Sequence, residues 1–105
     1  MKSYVVVAVP KVRRKLKKYL SYLSEQKRNP QAVNNVLDDY EDTVRELSKV
    51  AGSLVEPQNK KLKERKLKRI NFQRHNYFLL YRIDGDKAII TDIFHGLEDY
   101  ENHIV

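Results

Sequence analysis

The chain has 105 residues, of which 41% are hydrophobic, enough for one core and too few for two, so we expect a single domain over residues 1–105. It has no cysteine, which excludes disulfides, thiolate metal sites and cysteine nucleophiles and fits a reducing cytoplasm. Lys and Arg number 21 against 14 Asp and Glu, and the formal charge of +7 favours a polyanion or an acidic protein as partner.

The N-terminal segment predicts a strand followed by an amphipathic helix. Residues 3–9 are rich in β-branched side chains and end at Pro10, which suits a short strand. Apolar residues then recur at helical spacing over roughly residues 11–26, with cations between them.

A second helix is predicted to begin at Asn29-Pro30, because Asn caps free N–H groups and Pro needs no donor at the first helical position. Its apolar stripe reaches Ala51, and Gly52 is placed to end it in a left-handed conformation. Its acidic residues are predicted to form the outer, solvated face, and they are Asp38, Asp39, Glu41, Asp42 and Glu46. The two helices should form an antiparallel hairpin that covers a sheet.

The C-terminal half predicts that sheet. Polar residues 53–64 suggest a loop. Three strands are predicted after it, over residues 66–73, 77–83 and 88–94. Asp84-Gly85 is a hairpin-turn signal between the last two, and residues 97–105 are expected to form a short helix or an extended tail.

The resulting order is β-α-α-β-β-β, an α+β fold with an N-terminal helical hairpin on a small, mainly antiparallel sheet. Two stretches, NYFLLYRIDGD at 76–86 and IFHGLEDY at 93–100, resemble the RelE/ParE toxins, in which an aromatic-rich strand, an acidic Gly turn and a His-Gly-type corner follow one another. The resemblance implies a bacterial type II toxin that inhibits growth when free and is silenced by an acidic antitoxin.

The resemblance leaves the target open. RelE-like members cleave messenger RNA on the ribosome, whereas ParE-like members inhibit DNA gyrase, so the chain is either a metal-independent endoribonuclease or not an enzyme, and no cofactor or metal is expected in either case. RelE-like nucleases usually carry two arginines whose positions fall here on Gln73 and Glu98. A carboxylate at the second position would repel developing negative charge, which favours the ParE side.

Candidate site residues follow from this chemistry. For catalysis we consider His95, Tyr100 and Arg74, with His75 and His103 as further proton-transfer groups. For a nucleic acid or another target the candidates are Lys63, Lys66, Lys68, Arg69 and Arg74. For the antitoxin they are Arg13, Arg14, Lys17 and Lys61.

Structural interpretations compete with each of these. His95 beside Gly96 suits a histidine bonded to backbone at a corner, and the aromatic side chains of residues 77–81 suit a core better than a base-stacking surface. A non-catalytic module that binds nucleic acid or a partner is the alternative function. A membrane-bound first helix is disfavoured, because packing on the sheet competes for its apolar face.

Overall fold

The computed structural model describes residues 3–55 and 57–98. Its elements in chain order are β1 (Val5–Ala8), α1 (Pro10–Glu25), α2 (Pro30–Val50), α3 (Lys60–Glu64), β2 (Lys68–Asn71), β3 (Tyr77–Asp84) and β4 (Lys87–His95). Apart from α3, this is the predicted order, and the α+β fold class is confirmed. The expected C-terminal helix or tail lies almost wholly outside the described residues.

The four strands form one mixed sheet in the order β1-β4-β3-β2. β3 and β4 are antiparallel neighbours joined at Gly85, whose φ of 62° is the left-handed conformation that the hairpin turn requires. β2 pairs antiparallel with β3, and β1 pairs parallel with β4. β2 and β1 are therefore the two edge strands of the sheet.

The main core lies between the helical hairpin and one face of the sheet. Asn29 caps α2 as predicted, with its side-chain oxygen accepting the N–H of Ala32 at 3.1 Å. Leu47 on α2 and Tyr81 on β3 are both fully buried, and the Tyr81 hydroxyl donates to the Ala51 carbonyl at 2.8 Å. Burial of each such large side chain contributes about 1.5–3 kcal/mol, so this interface fixes the hairpin on the sheet.

A second, smaller core covers the opposite face of the sheet, and it corrects the predicted loop over residues 53–64. Asn59 caps the short helix α3 by accepting the N–H of Leu62 at 3.1 Å. Leu62 is 1% exposed and packs with the stacked rings of Phe78 and Phe94. The Asn59 cap and the burial of Leu62 together stabilise this five-residue helix, for which the sequence showed no periodicity.

The predicted role of Gly52 was wrong. Its φ is not positive, and α2 ends in the ordinary helical region at Ala51. A Cβ at Gly52 would collide with the hydroxyl of Tyr4, so the glycine makes room for a neighbouring ring. No helix among the described residues is both long and apolar enough to span a bilayer.

Candidate functional site

The corner that follows β4 brings together the predicted residue His95 and the position of one missing arginine, Glu98. The Glu98 carboxylate accepts the backbone N–H of His95 at 2.9 Å and a short hydrogen bond from the Tyr19 hydroxyl. The His95 Nδ1 atom accepts the N–H of Leu97 at 3.1 Å, and its ring meets Tyr77 edge to face at 5.0 Å. The hydrogen bonds of Tyr19, His95 and Glu98 therefore fix the shape of this corner.

The glycine of this corner has a packing reason. Gly96 donates its N–H to the Asn76 carbonyl at 2.8 Å, and a Cβ at position 96 would overlap the Asn76 side chain. A glycine at position 96 is thus required by the close approach of the β2–β3 turn to the end of β4.

The tyrosines at this corner do not act as bases, and the Tyr19 hydroxyl donates a hydrogen bond to Glu98. Burial, together with the hydrogen bond to Glu98, raises the pKa of Tyr19 far above its ordinary value. Burial also raises the pKa of Tyr77, helped by the nearby Glu98 charge. Both hydroxyls stay protonated at neutral pH. As expected for the structural interpretation, His95 is bonded to backbone.

A buried carboxylate that sequence analysis placed on the solvated face of α2 organises the turn between β2 and β3. Asp39 is fully buried, which corrects that prediction. It accepts the backbone N–H groups of Gln73, Arg74 and His75 at 3.1, 2.9 and 2.8 Å, and His75 Nδ1 lies 2.8 Å from its Oδ2. His75, considered above as a proton-transfer group, is thus a turn residue whose ring is bonded to Asp39.

The pKa of Asp39 reflects these contacts. Burial by itself raises it, but the hydrogen bonds from His75 and from the backbone of the turn outweigh burial and lower the pKa below 3.8. Asp39 is therefore ionised at neutral pH and clamps α2 to the turn.

Arg74, a candidate for both catalysis and phosphate binding, is engaged by the same helix. Its guanidinium lies 2.7 Å from Asp42 Oδ2 and 3.8 Å from Asp39. It contacts neither His95 nor Glu98 in any described hydrogen bond or ion pair. The structure therefore does not unite Arg74 with His95, while Tyr100 and His103 lie outside the described residues.

Asp92 is a second carboxylate that the sequence did not single out, and it lies in the middle of β4 with 6% of its surface exposed. It pairs with Lys11 at 3.0 Å and with Lys15 at 2.7 Å. The Lys15 ammonium also lies 3.7 Å from the centroid of the Phe94 ring. These two lysines of α1 thereby hold the helix against the sheet.

The hairpin groove is a cavity of about 520 Å³ between α1, α2 and the β1 edge of the sheet. Apolar and charged residues both line it, and they are Val6, Ala8, Arg13, Leu16, Lys17, Leu20, Tyr40, Glu41, Val44, Arg45 and Ile90. Of the four antitoxin candidates, Arg13 and Lys17 line this groove. Arg14 faces another shallow cleft that Lys17 also borders, and Lys61 lies on α3.

The lysine pocket is a cavity of about 420 Å³ near the β2 edge. It is lined by Pro57, Lys63, Lys66, Leu67, Lys68 and Ile83. Three of the five target-binding candidates thus share one cavity. The other two do not: Arg74 is on the Asp42 side, and Arg69 lies over the Phe78 ring at 3.7 Å and donates to Asn71 at 2.8 Å.

The described residues contain no cluster of His, Asp and Glu side chains that could hold a metal ion. The base-stacking alternative is also disfavoured, because Phe78 and Tyr81 are at most 1% exposed and belong to the two cores.

Comparison with known proteins places these features in a family context. The sequence model described as the ParE toxin of the type II toxin-antitoxin system parDE matches residues 6–100. Among solved structures, a chain of the chromosomal ParDE toxin-antitoxin system from P. aeruginosa superposes with a TM-score of 0.71 at 15% identity, covering 89% of this chain and 96% of that one. No curated protein matches the sequence.

Proposed function

This chain belongs to the ParE toxin family of type II toxin-antitoxin systems, and we propose that, when free of its antitoxin, it arrests growth in the cytoplasm by inhibiting DNA gyrase. Its resemblance to the RelE/ParE toxins implies gyrase on the ParE side and messenger RNA on the RelE side. The corner after β4 supports the first choice.

The observation that carries this choice is the hydrogen-bonded Glu98. A metal-free ribonuclease must place a cation where negative charge develops on the phosphate. At this corner a carboxylate occupies the place, and it is held by the Tyr19 hydroxyl and the His95 backbone. Its negative charge would oppose the transition state of RNA cleavage, which supports gyrase rather than messenger RNA as the target.

The position of the first missing arginine also supports gyrase as the target. Gln73 stands at that position, and its backbone N–H bonds to Asp39. Arg74 beside it is the nearest replacement in sequence, but it is ion-paired with Asp42 on α2. Moving it would break a charge-assisted hydrogen bond of 2.7 Å.

The experiment is expression of the chain from a tight inducible promoter without its antitoxin. We expect growth arrest with induction of the DNA-damage response while bulk translation initially continues. Purified protein should inhibit supercoiling of relaxed plasmid by gyrase. Rapid loss of translation with cut messages would instead establish a ribonuclease, and normal growth with soluble protein would leave only the binding-module alternative.

His95→Asn sharpens this experiment, because asparagine offers hydrogen-bonding atoms but no group that titrates near neutral pH. We expect this variant to remain toxic. A loss of toxicity with unchanged thermal stability would show that His95 takes part in chemistry and would contradict the proposal.

We place the antitoxin in the hairpin groove. Its floor is apolar, with Leu16, Leu20 and Val44 among the lining residues, while Arg13 and Lys17 lie on α1 beside them. An amphipathic helix with an apolar face and acidic flanks satisfies both features. Such helix-in-groove binding is consistent with an acidic antitoxin.

The groove is tested by Leu20→Glu, which adds a charge to the apolar floor and should weaken antitoxin binding at least ~100-fold. Toxicity should therefore persist when the antitoxin is co-expressed with this variant. Tyr22→Glu, at an exposed position on the same helix, is the matched control and should still be neutralised. If the antitoxin neutralised Leu20→Glu fully, its binding site would not be the hairpin groove.

A further inference from the structure

The end of α3 contains an unusual backbone conformation at Lys66. The Leu67 N–H donates to the Leu62 carbonyl at 2.8 Å and the Lys66 N–H to the Lys63 carbonyl at 3.1 Å, which is the bonding pattern of a Schellman C-cap. Lys66 is the left-handed residue of this cap, with φ of 57°. Glycine is the ordinary residue at this position, because it alone has no Cβ to crowd the backbone.

The lysine side chain at that position lines the lysine pocket together with Lys63 and Lys68. The cap itself has no need for a side chain there, since its hydrogen bonds are made by backbone atoms. A strained residue whose side chain points to a cavity is better explained by the cavity than by the turn.

The pocket concentrates positive charge without neutralising it. All three of its charged lining residues are lysines. Within the described part of the chain, neither Lys63 nor Lys66 has an ion-pair partner, and the Lys68 ammonium donates to the Leu54 carbonyl at 3.1 Å. Ammonium groups that converge on one cavity repel each other until an anion enters.

We propose that the lysine pocket binds a backbone phosphate of a nucleic acid strand. A phosphate presents several acceptor oxygens in one compact group, so several ammonium groups can bind it at once, whereas the carboxylates of an acidic peptide are spread along the chain. The volume of about 420 Å³ admits the phosphate with its attached sugar, which would contact Pro57, Leu67 and Ile83.

The location of the pocket fits this role. The hairpin groove uses Val6 and Ala8 of β1, whereas the lysine pocket uses Lys68 of β2, and these strands are the two edges of the sheet. A protein helix in the groove would therefore leave the pocket open. The proposal adds a nucleic-acid contact to the toxin and does not depend on gyrase being its target.

The test is binding of fluorescein-labelled DNA, single-stranded and duplex, to the purified chain, followed by anisotropy across a salt series. We expect Lys63→Gln/Lys66→Gly to bind at least ~10-fold more weakly and to show a shallower dependence of log K on log salt, because phosphate contacts release counterions. Lys49→Gln, an exposed lysine on α2, is the control and should bind within about 2-fold of the parent.

The single variant Lys66→Gly distinguishes a loss of DNA binding from a loss of folding stability. Glycine relieves the left-handed cap, so the Tm should rise by roughly 3–5 °C while DNA affinity falls. Unchanged DNA binding by the double variant would overturn the proposal, as would equal losses in Lys49→Gln. Tight binding of polyglutamate with no binding of DNA would assign the pocket to an acidic peptide instead. None of these results depends on whether expression arrests growth.

Discussion

The cations of this protein fall into two groups that the structure treats differently. Near the start of α1 and in the β2–β3 turn, Lys11, Lys15 and Arg74 are held by carboxylates on β4 and α2. At the end of α3, Lys63 and Lys66 line an open pocket and have no ion-pair partner among the described residues. Both α1 and α3 are rich in lysine. They differ because a buried carboxylate, Asp92, lies beside the lysines of α1 and pairs with them.

This difference shows how a charge of +7 is divided between stability and binding. A cation beside a buried carboxylate balances a charge that would otherwise be costly to bury. A cation without such a partner contributes little to folding and remains available to a ligand. The following changes test that division, beginning with the largest expected effect.

Asp39→Asn should cause the largest loss, because it removes the charge that receives three backbone N–H groups and His75. We expect the free energy of unfolding to fall by about 3 kcal/mol in urea titrations. Asp38→Asn, one residue away and exposed, is the matched control and should change it by less than ~0.5 kcal/mol. Equal effects of the two variants would contradict the role given to Asp39.

Asp92→Asn should destabilise by about 2 kcal/mol, because Lys11 and Lys15 lose the carboxylate that joins α1 to β4. Asp86→Asn, in the exposed hairpin between β3 and β4, should have almost no effect. If Asp92→Asn were as stable as the parent, the first group of cations would be no more structural than the second.

Lys15→Met and Lys63→Met compare one member of each group directly. Methionine keeps an unbranched stem and removes the charge. The first change loses the Asp92 pair and the contact over the Phe94 ring and should cost about 1 kcal/mol. The second should leave the free energy of unfolding within ~0.3 kcal/mol of the parent. Equal losses in the two variants would contradict the division of the cations into two groups.

The last test uses acid and concerns the same buried carboxylate, Asp39. Because the pKa of Asp39 is lowered in the folded state, its contribution is complete above its ordinary value of 3.8 and is lost as pH falls from there through the folded pKa. Between about pH 7 and 5 the stability gap between the parent and Asp39→Asn should stay constant, and below about pH 5 it should narrow. Circular dichroism of both proteins in urea across pH measures the gap.

Most of the fold was predictable because its signals are local. The apolar runs of β3 and β4 define their own strands, and Asn29 and Gly85 mark a helix start and a hairpin turn through their own backbone chemistry. α3 escaped prediction because a five-residue helix shows too little periodicity, and its stability comes from Leu62 packing on the sheet.

The buried carboxylates were not predicted, because their partners lie far away in sequence. Asp39 binds a turn of β2 and β3, and Asp92 binds side chains of α1. Signals were nevertheless present. Asp39 lies three residues after Val36 and four before Thr43 on the buried side of α2, and Asp92 interrupts an apolar strand. An acid within a buried stripe indicates a partner, although it does not identify one.

The parallel pairing of β1 with β4 has a consequence for the order of events during synthesis. Val5 pairs with Lys87, so the first strand must wait for the last one before it has a hydrogen-bonding neighbour. The hairpin groove lies between the two helices and is completed by Val6 and Ala8 of β1 and by Ile90 of β4. A growing chain on the ribosome therefore offers no complete groove, and recognition by an antitoxin that uses it begins only after β4 has emerged and folded.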